Sequence, residues 1–417
     1  MGAGDVRRVY DTGENVVALC DVDWDRAKDT FKALPEARRY KDYREMFDKE
    51  KAIDAVTITT PDHTHAPAAL MAMALGKHVR VQKPLSWSLS EARAMTKAAR
   101  KYKVATAMGN QGHAAAGVRQ ICEILWSDAI GPVREAHAWT NRCGYSEAST
   151  GPLPAAPVPE ALDWNLWLGT APERPYNPGY APSSWRAWWD FGCGALGDMA
   201  CHIMDPANWA LQLGAPASVE CIMEHGCSRQ NAPMASIIKY EFPARPFKED
   251  LPSVNWYGKT LPPVTLYWYD GKLADGTPNL PPRPEGLPKG ERLGDVNEDG
   301  ENGSYFVGAD GIATTGCYGG KSRLLPAESM SDFIMPDEVI PRVEGSSHQE
   351  WIDACKGGVP AGSNFDYAGP FTEIVSLGNV ALRVGAGKVI EWNGKRMRSP
   401  NCPEANQFLD REPRTGW

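Results

Sequence analysis

The chain has 417 residues, 42% of them apolar and 23% charged, with 15 tryptophans and a formal net charge of -8. That length exceeds one typical domain and that composition suits an ordinary folded chain, which excludes a small module and wholesale disorder. The acidic balance argues against nucleic acid as a partner, and no apolar run approaches the roughly 20 residues needed to cross a bilayer.

Ten cysteines without a CxxC pair read as reduced core thiols. Met1-Gly2-Ala3-Gly4 carries no export or transit signal, so a cytoplasmic location is expected for the chain as written, with a signal upstream of Met1 left open. Gly2-Ala3-Gly4 stands before helix-like Asp5 to Tyr10 and a strand ending at Asp21. The expectation is a chain that starts inside a glycine turn, with Gly2 its last glycine and the strand before it missing. Further strands are expected at Val16 to Cys20, Ala55 to Thr60, His78 to Val81 and Val104 to Met108. Helices fall between them, from about Trp24, from about Thr64, and from Ser88 to Tyr102 with Ser86 or Ser88 as N-cap. Such βαβ alternation implies a parallel sheet with right-handed crossovers.

From Asn141 to Phe191 proline, glycine and tryptophan accumulate, and the stretch reads as linker and loop cover. A helix near Gly197 follows, then extended segments from Ala217 to about Pro326 that should form one open sheet. Hairpins are expected where Gly308-Ala309-Asp310-Gly311 joins Ser304–Val307 to Ile312–Cys317, and at Glu391-Trp392-Asn393-Gly394-Lys395. Helices near Ser347 to Lys356 and Pro370 to Val384 complete the elements.

Asp21 closes its strand where a carboxylate can accept both hydroxyls of an adenosine ribose and repel a 2′-phosphate, which favours NAD over NADP; helix capping is the plainer alternative. Lys83 lies just past a strand end, on the edge where open α/β sheets bind ligands, with Pro84 stiffening the turn. Asp198, His202 and Asp205 recur at i, i+4 and i+7, which would put them on one helix face. His202 suits proton transfer at neutral pH. Capping and a surface ion pair compete with that reading, and no further ligand cluster supports a metal. Trp164, Trp167, Trp185, Trp188 and Trp189 surround Arg186 and Asp190 as a sugar pocket would, although indoles packing a loop cover would look the same. His113 could reach substrate or make a structural bond. Asp295 to Gly300 imitates a calcium loop, but its twelfth position is Phe306 rather than Glu, and calcium is rejected.

With Thr60-Pro61-Asp62-His63-Thr64-His65, Lys83-Pro84, Gly109-Asn110-Gln111 and Asp198-x-x-x-His202 in place, the chain resembles the Gfo/Idh/MocA family of NAD(P)-dependent sugar and inositol oxidoreductases. The resemblance implies an α/β fold: a Rossmann-like doubly wound parallel sheet over residues 1–115, then an α+β domain over 116–417 with an open, mostly antiparallel sheet and a helix packing back. It implies that Lys83, Asp198 and His202 hold and deprotonate a sugar or polyol hydroxyl. Gly2, Asp21, Thr60, Pro61, His65, Lys83, Asn110 and Gln111 would bind NAD, and His113, Trp185, Arg186 and Asp198 the substrate. Gln82 departs from the family's usual Glu. The open sheet makes a homo-oligomer expected. Two alternatives stand beside a dehydrogenase: a redox-neutral NAD-dependent glycosidase, whose members commonly carry Tyr where Asp198 stands, and an inactive truncated binding protein.

Overall fold

In a computed structural model, residues 1–142, 151–182, 184–247, 260–295 and 301–417 are described. Helix α1 (Gly2–Asp11) leads into strand β1 (Ala18–Cys20), helix α2 (Trp24–Ala33), strand β2 (Arg38–Tyr40) and helix α3 (Tyr43–Lys49). Asp23 and Asp42 cap α2 and α3 through their carboxylates, which fixes both helix starts. Strands β3 (Ala55–Ile58), β4 (His78–Val81) and β5 (Thr106–Met108) alternate with α4 (His65–Ala74) and α5 (Leu89–Tyr102). All pairs here are parallel, as the alternation predicts, but they form two sheets, β1–β2 and β3–β4–β5. Ser88 caps α5 in a capping box with Glu91, while Ser86 donates to the Ser88 carbonyl instead.

Helix α6 (Ala116–Trp126) leads to strand β6 (Glu135–Thr140), which sits inside a separate eight-stranded sheet. Next come α7 (Trp164–Leu168), α8 (Gly194–Ile203) and α9 (Asp205–Ala210), then strands β7 (Ser218–His225) and β8 (Ala235–Phe242). Two-residue strands β9 (Arg245–Pro246) and β10 (Thr260–Leu261) pair only with each other. Strands β11 (Val264–Gly271), β12 (Asn302–Val307), β13 (Ile312–Thr315), β14 (Arg323–Leu325) and β15 (Val389–Glu391) complete a sheet of order β14-β13-β12-β6-β11-β8-β7-β15. Only β6–β11 is parallel there, so the sheet is mostly antiparallel. The Gly308–Gly311 hairpin forms as expected. The second one does not: Glu391 pairs with Ser218 of β7, and only an isolated bridge joins Asn393 to Arg398, because the exposed β7 edge offers the longer ladder.

Inward residues of this sheet, among them Val219, Ile238, Tyr240, Leu266 and Trp268, are buried under α8 and helix α11 (Phe365–Val384), which follows α10 (Ser347–Cys355). α11 begins five residues before Pro370, because the Asn364 side chain caps it. It also packs on α5, where Thr96 Oγ1 donates to the Phe365 carbonyl and Arg93 pairs with Glu373, so one helix ties the β3–β4–β5 sheet to the eight-stranded one. On the opposite face His137 stacks between Tyr267 and Tyr305, with ring centroids 5.0 and 4.4 Å away, and Tyr305 Oη donates to the Pro282 carbonyl of the covering loop. The tryptophan-rich stretch forms a small core of its own from Trp167, Tyr180, Trp185, Trp188 and Phe191. Residues 296–300 of the calcium-like segment lie outside the described residues. No described helix is long and apolar enough to cross a membrane.

Candidate active site

Beyond β4 the chain turns through Gln82, Lys83 and Pro84. The His65 ring braces that turn, its two nitrogens each 2.9 Å from a carbonyl oxygen, of Thr60 and of Pro84. Lys83 is buried, and its ammonium donates to Asp198 Oδ1 at 2.6 Å and to the Asp198 carbonyl at 2.8 Å. Arg186 Nε donates to the same Oδ1 at 3.1 Å, while its guanidinium lies 4.2 Å above the Trp185 ring. Two cations from different segments thus converge on one carboxylate oxygen.

His202 stands one turn beyond Asp198 on α8, 3% exposed, with Tyr318 edge-on at 4.8 Å. Burial first, and the Lys83 charge second, hold its pKa well below the ordinary value against the opposing pull of Asp198. The imidazole is therefore neutral near pH 7, and its Nδ1 has no hydrogen-bond partner among the described residues.

The helix breaks at Met204, so Asp205 starts α9 instead of continuing the Asp198–His202 face. Its carboxylate contacts His113 Nδ1 at 3.0 Å and accepts from Tyr367 Oη at 2.6 Å. His113 is stacked on Trp209 with centroids 4.2 Å apart.

Asp21 ends β1 exposed, its carboxylate accepting the Asp23 amide at 2.9 Å. Thr60 and Pro61 follow β3, and Asn110 and exposed Gln111 follow β5. Asn110 is buried; its oxygen accepts from Ser363 Oγ, and its Nδ2 has no partner among the described residues. Gly2 opens α1, where an added Cβ would only touch Thr59 at 3.9 Å, so no close approach requires glycine there.

Sequence reasoning missed Asp5. This carboxylate, 1% exposed, accepts from Gln82 Nε2 at 2.6 Å, Thr59 Oγ1 at 2.9 Å and His348 Nε2 at 3.1 Å, with Arg80 3.9 Å away. Burial pushes its pKa up, but His348, Arg80, Gln82 and Thr59 together outweigh burial and bring it to about 2. Gln82 is thus committed to Asp5. An acid in a first helical turn is the one signal that points there.

Residues 2–110 match the oxidoreductase family model for the NAD-binding Rossmann fold of Gfo/Idh/MocA proteins, and residues 137–239 match its C-terminal alpha/beta domain. Inositol 2-dehydrogenase of Salmonella typhimurium is 29% identical over 166 residues, 39% of this chain and 47% of that protein. Levoglucosan dehydrogenase of Pseudarthrobacter phenanthrenivorans is 27% identical over 184 residues, 42% of this chain and 39% of that one. The match spans less than half the length of these curated relatives. The WlbA dehydrogenase of Bordetella pertussis, solved with NADH and UDP-GlcNAcA, shares the fold over 94% of both chains at a TM-score of 0.60 and 14% identity. An inositol dehydrogenase homolog of Azotobacter vinelandii, solved with NADH and myo-inositol, does so over 91% of this chain and 90% of that one, at a TM-score of 0.53 and 16% identity. The two family models fall, in order, on the segments that supply Lys83 and Asp198, and the chain belongs to the Gfo/Idh/MocA oxidoreductase family.

Proposed function

We propose that the chain is an NAD-dependent dehydrogenase acting on a hydroxyl of a sugar or cyclic polyol. The observation that carries the reading is the buried Lys83–Asp198 contact at 2.6 Å with neutral His202 one helical turn away. The residues fit the cofactor at two points. Asp21 offers an exposed carboxylate at the carboxyl end of β1, and Asn110 offers a buried amide donor without a partner among the described residues. NAD, when bound, supplies a two-electron acceptor for the substrate carbon.

The chain's own residues do the rest. Lys83 has two of its three N–H groups on Asp198, and the third polarises the substrate oxygen. Neutral His202 takes the hydroxyl proton at Nδ1. Asp198, held by Lys83 and Arg186, orients a neighbouring hydroxyl, and the Trp185–Arg186 stack forms a wall for the sugar ring. The relatives named inositol 2-dehydrogenase and levoglucosan dehydrogenase support this substrate class. Asp198, where glycosidase relatives carry Tyr, favours it over net glycoside cleavage. Association of like copies belongs to the same reading and is tested by sedimentation of the purified chain.

The test is NADH absorbance with NAD and a panel of myo-inositol, hexoses and anhydrosugars. We expect NADH from at least one member and loss of about 100-fold or more in kcat for His202→Ala, with NAD affinity kept. A variant as active as the parent sinks the assignment.

A further inference from the structure

We infer that Asp62, delivered by the turn after β3, is a positioning residue: its carboxyl grips the start of α8 and so sets Asp198 and His202 against Lys83. The inference rests on the reading of that site given above. Asp62 is 3% exposed, and its Oδ2 accepts the Cys193 amide at 3.1 Å. Cys193 is the N-cap of the ten-residue α8 and makes no side-chain cap of its own. A carboxylate from a distant segment therefore does what a capping side chain usually does, and it faces the positive end of the helix. The grip is two-sided. The Cys193 carbonyl accepts from Asn379 Nδ2 of α11 at 3.0 Å, and Gly194 follows with a φ of +64° that favours glycine. Because α8 carries Asp198 and His202, a slip at its first turn moves both against Lys83, and small misplacements of reacting groups are costly.

The charged and titratable groups facing Asp62 are Lys83 from the turn after β4, Arg186 from the segment before α8, Asp198 from α8 and the Cys193 thiol; His63 and His65 lie on its own segment. Burial raises the carboxyl, Asp198 adds to that, and Arg186 and Lys83 oppose it, leaving it at about 7.

Three proteins test this: the full chain, Asp62→Asn and Asp62→Ala. The amide keeps an acceptor for the Cys193 N–H but cannot ionise; alanine keeps neither. Hydrogen exchange of α8, followed by mass spectrometry, needs no substrate. We expect about tenfold faster exchange in its first turn for Asp62→Ala and parental protection for Asp62→Asn. In turnover assays Asp62→Ala should lose about tenfold in kcat with the KM for NAD unchanged, and Asp62→Asn, which keeps the acceptor for the Cys193 amide, should restore kcat. Parental α8 protection in Asp62→Ala overturns the proposal. So does an Asp62→Asn variant whose kcat and α8 protection are as impaired as those of Asp62→Ala. Altered exchange without NADH from any substrate upholds the grip on α8 and refutes the dehydrogenase reading alone.

Discussion

Lys83 and Asp198, 115 residues apart in the chain, meet at 2.6 Å with both side chains less than a tenth exposed. Removing one partner of a buried pair leaves the other uncompensated. Lys83→Met should therefore lower kcat by about 100-fold or more and destabilise the fold by about 2 kcal/mol, a loss moderated by the remaining Arg186 contact. Adding Asp198→Asn to Lys83→Met should recover stability in urea titrations without recovering NADH production. Independent, additive stability losses would contradict the pairing.

Asp5 makes stability depend on acid. Its folded pKa of about 2 lies below the unfolded 3.8, so its contribution is complete above pH 4 and disappears as pH falls toward 2. That difference corresponds to about 2 kcal/mol. Asp5→Asn should lower the urea midpoint at pH 7, and the gap from the parent should shrink steadily between pH 4 and pH 2.5. A gap that does not vary with pH would mean the carboxylate's charge is irrelevant.

Gly369 on α11 allows the close approach of α5. An added Cβ would come within 1.9 Å of Thr96 Oγ1 and 3.2 Å of Thr96 Cβ. Alanine in a helix would ordinarily gain about 1 kcal/mol over glycine. Here Gly369→Ala should instead cost about 2 kcal/mol through overpacking, and Thr96→Ala in the same chain should return part of it. Denaturant melts of the two single variants and the double variant decide the matter.

On the proposed reading, Asp21 sets the choice of dinucleotide. Asp21→Ala should weaken NAD binding by about tenfold, the loss of one charge-assisted contact pair, and narrow the preference over NADP. Calorimetric titration with both dinucleotides checks this, and equal affinities for parent and variant would leave Asp21 as a turn residue holding the Asp23 amide.

Local signals in the sequence were enough for much of this arrangement. Hydrophobic runs located β1, β3, β4 and β5, the serine and glutamate near 88–91 announced the cap of α5, and Lys83 and the Asp198–His202 turn stood out by position and spacing. Less legible was whatever depends on partners far along the chain. Strand β2, with two of its three residues exposed, has no apolar run to betray it. Asp5 draws on Thr59, Gln82 and His348, and Asp62 draws on Cys193; no spacing rule joins residues that far apart. Asp205 misled for a related reason: the heptad-like spacing from Asp198 assumes one unbroken helix, and the break at Met204 turns the later carboxylate to Tyr367 and His113. Trp188 and Phe191 form part of a local core, the plainer of the two readings open to that stretch.

The eight-stranded sheet ends on both sides in strands of only three residues, β14 and β15. Ribbons that short, one bearing Arg323 and followed by Pro326, the other closing on Glu391, make poor templates for another chain's backbone. Lateral growth into a continuous fibril-like array is thereby discouraged at either border. Any pairing of two molecules across this layer is left to side chains on its broad face, where contacts can be chosen by shape and charge.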